Sequence, residues 1–358
     1  MHYTDLAPGL LQTLRQGTVI PAMPLALNAK RKFLPDRQAA LARYYIDAGS
    51  GGIAVGVHST QFEIRDPKIG LFEPVLSIVS AAIDKWSARV KRPIFKIAGI
   101  CGRTDQALRE ADFAIQRGYH AGLLSLSAFR DDSIEAMLDH CEQVAKVIPV
   151  IGFYLQPAVG GRVLPYAFWR QFAAIDNVIA IKIAPFNRYQ TFDVIRAVAE
   201  AGREKDITLY TGNDDNIVVD LLTEFRVKTT AGEKALRIKG GLLGHWCVWT
   251  QAAVRLLDEL HKAAAVDQIP ASLLTLAAEV TDCNAAFFDA ANQFRGCIPG
   301  IHEVLRRQGL LEGTWCLNPA EVLSPGQSEE IDRVYRAYPH LSDDSFVSAN
   351  LLRWLQGC

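Results

Sequence analysis

The sequence predicts an α/β fold, a (β/α)8 TIM barrel followed by a C-terminal helical extension. Three observations predict it. Eight short apolar runs alternate with amphipathic stretches over the first two-thirds of the 358 residues, the pattern of successive parallel strand–helix units. No Gly-x-Gly-x-x-Gly follows the first run, so the dinucleotide-binding form of the competing doubly wound sheet loses support. The last part of the chain carries helical stretches and no convincing strand. Residues 1–247 are therefore read as the barrel and 248–358 as the helical region.

In order along the chain, the first strand falls at Thr18–Ala22. The stretch Asp36–Asp47 opens on an acidic residue and stops at Ala48-Gly49, as a helix does. Strand two is Gly52–Val57, followed by a helix over Pro74–Trp86. Strand three is Ile94–Ile100; Thr104-Asp105 then starts a helix to Arg117. Strand four is Ala121–Leu126, and Asp132-Ser133 starts the helix that ends near Val147. Strand five, Val150–Leu155, precedes a helix over Tyr166–Ile175. Strand six, Val178–Ile183, is β-branched and closed by Pro185; the helix Thr191–Ala201 follows. Strands seven and eight are Ile207–Thr211 and Gly241–Gly244. Beyond Val248, helices are expected at Thr250–Ala264, Ala271–Phe294, Ile301–Gln308, Gln327–Ala337 and Asp344–Leu355, packed on the barrel or on a neighbouring subunit.

Composition narrows the function. Hydrophobic residues make up 49% and charged residues 22%, values of an ordinary globular protein. A net charge of -1 gives no electrostatic case for nucleic acid or an anionic membrane. No apolar run reaches the length of a membrane span, and Met1-His-Tyr-Thr-Asp-Leu6 does not read as a secretion signal, so a cytoplasmic location is expected. The seven cysteines, Cys358 among them, are scattered with no CxxC pair; free thiols are the simplest reading, and no metal site is expected from their spacing.

The residue that carries most chemical information is Lys182, one amine in the apolar run Val178-Ile-Ala-Ile-Lys-Ile-Ala-Pro185. Side chains alternate along a strand. Ile179, Ile181 and Ile183 then face a helical layer, and Val178, Ala180, Lys182 and Ala184 face the barrel interior. An ammonium held there is desolvated, which favours the neutral, nucleophilic form that a Schiff base needs. A lysine whose amine reaches water from a strand end is the competing reading. In strand five, Ile151, Phe153 and Leu155 share one face, and Gly152, Tyr154 and Gln156 the other. If the aliphatics meet the helices, Tyr154 points into the barrel one strand from Lys182, where a phenol can shuttle protons.

Gly152-Phe-Tyr-Leu-Gln-Pro157, Val178-Ile-Ala-Ile-Lys182, Leu209-Tyr-Thr-Gly-Asn-Asp214 and Gly240-Gly-Leu-Leu-Gly244 occur in the order of the dihydrodipicolinate synthase/N-acetylneuraminate lyase family. The chain resembles that family from about Gly17 to Gly244, with a weaker match at Gly300–Leu311. The resemblance implies a class I aldolase or hydratase-aldolase acting on a 2-oxo acid, usually pyruvate, together with an aldehyde. It implies no cofactor beyond a covalent imine through Lys182, a proton-relay role for Tyr154, and a homo-oligomer, dimer or tetramer.

The chain departs from the family after strand two. A Gly-Thr-Thr-Gly-Glu-like loop usually holds the pyruvate carboxylate, and here the sequence is Gly56-Val-His-Ser-Thr-Gln61. His58, Ser59 and Thr60 are the candidate ligands of a carboxylate. Arg162, in Pro157-Ala-Val-Gly-Gly-Arg162, is placed to reach an acidic group. Gly212, Asn213 and Asp214 end strand seven, and Trp246, with His245, follows strand eight; all would line the same mouth. Two other readings stand beside the lyase. One is a non-catalytic ligand-binding or regulatory barrel; the other is a metal-dependent aldolase using His58, His245 and the Asp214–Asp215 pair.

Overall fold

The computed structural model describes residues 1–357. Eight strands form one parallel, closed sheet. They are β1 (Val19–Pro21), β2 (Gly52–Val55), β3 (Phe95–Ile100), β4 (Ala121–Leu124), β5 (Val150–Leu155), β6 (Val178–Ala184), β7 (Thr208–Thr211) and the last part of β9 (Gly232–Leu243). Around the barrel the order is β1-β9-β7-β6-β5-β4-β3-β2. Closure is made just past β1: Ala22 bridges Ala54, and the Met23 N–H donates to the Ala54 carbonyl at 2.9 Å. The TIM-barrel reading is borne out.

Helices α2 (Pro35–Ala48), α3 (Phe72–Val90), α4 (Thr104–Gln116), α5 (Ile134–Ala145), α6 (Tyr166–Phe172), α7 (Arg188–Glu200) and α8 (Ile217–Leu222) wrap the outside. A helix not read from the sequence, α1 (Pro8–Gln16), lies at the N-terminal end of the barrel. Tyr210 of β7 fills the interior above it and donates its hydroxyl proton to the Leu14 carbonyl at 2.8 Å. One end of the barrel is thus plugged, and the strands' C-terminal ends are left for chemistry.

The eighth strand is longer than the sequence suggested. The first half of β9 pairs antiparallel with β8 (Glu224–Thr229), a hairpin outside the barrel, through a turn with Thr229 opposite Gly232. Gly232 holds φ at 110°, a conformation that favours glycine. The charged, alternating residues of β8 hid the strand, because its burial comes from one packed residue, Val227.

The C-terminal region forms α9 (Thr250–Ala263), α10 (Ser272–Phe287), α11 (Cys297–Arg307), α12 (Gln327–Ala337) and α13 (Asp344–Gln356). One hydrophobic core runs from the barrel into these helices. Trp249 packs edge-on against both Phe287 and Tyr335, with ring centroids 5.0 Å apart in each case. The Tyr44 hydroxyl of α2 donates to Asp343 at 2.8 Å. The helix expected over Ala271–Phe294 ends earlier, at Phe287, because the chain turns sharply after it: Asp289, Gln293 and Phe294 have φ values of 57°, 57° and 64°.

Candidate active site

Lys182 is buried inside the barrel, with 8% of its surface exposed. Its stem passes beside the end of β7, where the backbone closes in. A Cβ at Gly212 would lie 2.7 Å from Lys182 Cε and 2.8 Å from Ala184 Cβ. Glycine at position 212 is what leaves room for the lysine. The amine stands 4.5 Å from the centre of the Phe153 ring, a cation–π distance.

The amine opens into a narrow cavity; its empty space, open solvent at the mouth included, comes to about 560 Å³. From the first two strand ends come Ala22, Val57, His58 and Ser59. β5 and its loop contribute Phe153, Leu155, Gln156 and Val159; β6 and β7 contribute Ala184, Phe186, Gly212 and Asp214. The far wall belongs to the C-terminal region, with Phe288, Phe294, Cys297 and Ile301.

Burial lowers the affinity of the Lys182 amine for a proton, and nearby Asp214 partly restores it. Asp214 is shifted the opposite way: burial raises its pKa, and the His245 N–H at 2.9 Å and Lys182 pull it back. Burial and the adjacent Lys182 push His58 down to about 4, so its imidazole is neutral at physiological pH. Burial keeps the Cys297 and Cys247 thiols protonated.

The structure does not bring all the expected residues together. Tyr154 is a correction. It faces away from Lys182, fully buried under α6, with its ring 5.3 Å from Trp169 and its oxygen accepting the Leu164 N–H at 3.2 Å. Phe153 takes the inner position beside Lys182. The cause lies in Gly152, on the same outer face as Tyr154. The rings of Trp169 and Phe172 fill the space a side chain at Gly152 would need, so this face belongs to the helices. A register shift between β5 and β6 adds to it: Val150 pairs with Val178, but Ile151 pairs with Ala180.

Arg162 is also elsewhere. Its guanidinium donates to the carbonyls of Phe129 at 2.5 Å and Asp132 at 3.1 Å, tying the loop after β5 to the loop after β4. Thr60 is wholly engaged inside its turn: it donates to the Met23 carbonyl at 2.7 Å and accepts from the N–H groups of Gly56 and Val57. Asn213 points outward, accepting the Phe186 N–H at 3.0 Å and donating to Thr191 and Asp220. Trp246 is buried against Gly241, outside the cavity lining. His58, Ser59, Gly212 and Asp214 do line the cavity with Lys182, and the Ser59 hydroxyl donates to the Ala22 carbonyl.

His58, His245 and the Asp214–Asp215 pair do not form a metal cage. Among the described residues no group of three or more His, Cys, Asp or Glu side chains could hold a metal ion. The His245 ring stacks on Phe287 instead, with centroids 5.6 Å apart. No helix among the described residues is long and apolar enough to cross a membrane.

The phenylalanines at 153, 186, 288 and 294 escaped the sequence reading. For Phe153 the glycine one residue before it was the usable signal, since glycine in a strand marks close approach of another element. Phe294 had none, because it was read as the end of a helix.

No family model matches the chain. A curated relative, the 4-hydroxy-tetrahydrodipicolinate synthase of Heliobacterium modesticaldum, is 28% identical over 212 residues, which is 58% of this chain. The chain spans about 65% of the length of that relative. Among solved structures, the chain is similar to a prophage protein of the dihydrodipicolinic acid synthase family from E. coli K12, solved in complex with pyruvate. The two share 18% identity at a TM-score of 0.72, covering 92% of this chain and 99% of that one. It is similar to the dihydrodipicolinate synthase of Oceanobacillus iheyensis at 15% identity and a TM-score of 0.72, with the same coverages of 92% and 99%. It is similar to the N-acetylneuraminate lyase of Mycoplasma synoviae at 15% identity and a TM-score of 0.65, covering 90% and 98%. The resemblance read from the motifs is borne out by the curated synthase, at the low identity of a divergent sequence. With the solved structures the chain shares the fold.

Proposed function

We propose that the chain is a Schiff-base-forming lyase, an aldolase or hydratase-aldolase acting on a 2-oxo acid. The observation that carries the proposal is the buried Lys182 amine, opening into a cavity that the Asp214 carboxyl also lines. The neutral amine adds to the ketone carbon while the carbonyl oxygen takes up a proton. The carbinolamine loses water and leaves an iminium. Cleavage of the neighbouring C–C bond sends its electron pair to the iminium nitrogen, giving an enamine and releasing an aldehyde. Protonation of the enamine carbon and addition of water return the oxo acid and the free amine.

These steps need a proton carrier within reach of the amine. With Tyr154 turned outward, Asp214 takes that role. Transfer of a proton from the lysine to the aspartate, once substrate or water bridges them, yields a neutral nucleophile and a neutral acid together. His58, which lines the same cavity and can donate an N–H from its neutral ring, takes the carboxylate end of the oxo acid. Borohydride reduction in the presence of pyruvate, followed by mass spectrometry, should place the reduced adduct on Lys182. An adduct on another lysine, or on none with any short 2-oxo acid, refutes the proposal.

One observation favours the second reading, a ligand-binding barrel without turnover: a phenyl ring, Phe153, stands beside the amine where a phenol was expected. That reading predicts oxo-acid binding that Lys182→Ala leaves unchanged and no release of aldehyde.

A further inference from the structure

Much of the wall around Lys182 is apolar. Four phenylalanines line the cavity, and Leu155, Val159 and Ile301 add aliphatic surface. Lys182 is the one cationic side chain among the described residues of the lining, since His58 is neutral. A phosphate or a polyhydroxylated chain would leave polar groups unpaired against such walls.

Two of the four rings are held at a conformational cost. Phe186 has φ of 53° and Phe294 of 64°, a region that bulky side chains avoid. Each is fixed by hydrogen bonds outside the cavity. Asn213 accepts the Phe186 N–H at 3.0 Å, and its own amide is anchored on Thr191 at 3.2 Å and Asp220 at 3.0 Å. The Phe294 N–H donates to the Asp289 carbonyl at 3.0 Å. The Asp289 carboxylate accepts from the Gly296 N–H at 3.0 Å, Asn292 at 2.6 Å and the Ser324 hydroxyl at 2.5 Å. The two rings meet edge to face, centroids 5.7 Å apart at 80°. One comes from the loop that follows Lys182, the other from the link between α10 and α11. Two separate networks thus impose strained backbone to bring two flat apolar surfaces together over one cavity, and strain of this kind persists where a site demands it.

We propose that Phe186 and Phe294, in contact edge to face, act as a clamp of two perpendicular walls whose open corner seats a flat apolar ring, so that the carbonyl compound reacting at Lys182 carries an aromatic group at the end distant from its carbonyl. The proposal rests on the Schiff-base reading for the chemistry at the near end. Asn213 is a positioning residue for this clamp, acting through Phe186.

Calorimetry on the full chain with two 2-oxo acids tests it: 4-phenyl-2-oxobutanoate and 2-keto-3-deoxygluconate. The phenyl compound should bind at least tenfold more tightly. A smaller or reversed ratio in the wild-type chain overturns the proposal, and this measurement needs no variant to fold. In a folded Phe186→Ala/Phe294→Ala double variant the ratio should fall at least threefold; an unchanged ratio also overturns it. Lys182→Ala and borohydride trapping separate the two claims. A tenfold ring preference that persists in Lys182→Ala, with no oxo acid trapped on the wild-type lysine, keeps the clamp and refutes the Schiff base. A pyruvate adduct on Lys182 without ring preference does the reverse.

Discussion

Replacing Tyr154 by phenylalanine separates a structural from a catalytic role for that hydroxyl. The oxygen accepts the Leu164 N–H at 3.2 Å, and both residues are buried. Removing it leaves a buried donor unpaired, at a cost of about 1–3 kcal/mol. The ring stays, so its contact with Trp169 at 5.3 Å survives and no cavity forms. One kcal/mol moves the melting temperature by about 2–4 °C in domains of 150–250 residues, and by less in a longer chain. The expected fall is therefore a few degrees. Loss of a working proton relay would instead cost on the order of 10²–10⁴ in rate. The assay is the rate of borohydride-trapped adduct formation with pyruvate, alongside a thermal melt. Adduct formation within about threefold of wild type, with a lowered melting temperature, is expected if the relay magnitude does not apply. A loss of about a hundredfold at unchanged stability would show that the hydroxyl acts at the imine, and would refute the placement of Tyr154 outside the site.

Lys182→Ala should abolish the mass adduct altogether, because the nucleophile is removed. Gly212→Ala should slow adduct formation at least about tenfold, since the new Cβ would sit 2.7 Å from Lys182 Cε and the stem must move; trapping at the wild-type rate would contradict the packing described. The pH profile of turnover should be bell-shaped. The acid limb marks the form in which Lys182 and Asp214, its pKa raised by burial, both carry a proton; the alkaline limb marks the form in which neither does, reached below the ordinary lysine range because burial lowers the pKa of the amine. Asp214→Asn removes the charge that favours the ammonium, so trapping should persist to lower pH while turnover falls by about 10²–10⁴; an acid limb that moves to higher pH would contradict this. Glu110→Ala should destabilise the fold by about 3–5 kcal/mol in urea, because buried Arg65, paired to Glu110 at 3.0 Å, would be left without its carboxylate.

The barrel was legible because hydrophobic periodicity is set by burial, and burial of parallel strands under helices is uniform along the chain. Lys182 was legible for the same reason: a charge inside an eight-residue apolar run has few structural explanations. The failure at Tyr154 shows the limit. Alternation fixes which residues of β5 share a face, but not which face points inward. That choice was made by aromatic residues of α6, Trp169 and Phe172, crowding Gly152 from outside. The β8 hairpin was missed because its residues are largely exposed and charged, so no apolar signal marks it. The turn that carries Phe294 was invisible because neither proline nor a positive-φ glycine breaks the chain there; Asp289, Gln293 and Phe294 take left-handed backbone, and the turn is held by the Asp289 carboxylate, which accepts from Gly296 and Ser324, and by its carbonyl, which accepts from Phe294.

The position of the C-terminal wall ties reactivity to selectivity. An amine at the mouth of an open barrel would be hydrated, and its pKa would stay near that of free lysine. Here Phe288, Phe294, Cys297 and Ile301 cover the strand ends and complete the cavity into which Lys182 opens. The same cover that removes water from the amine, and so lowers its proton affinity, also supplies half of the aromatic pair. Loosening that cover would therefore have two coupled effects. Water would reach Lys182 and raise its proton affinity, and Phe294 would leave Phe186. Under the proposed chemistry, a substrate ring seated in the corner of the two phenylalanines would do more than bind: by keeping the wall closed, it would preserve the dry environment an imine needs.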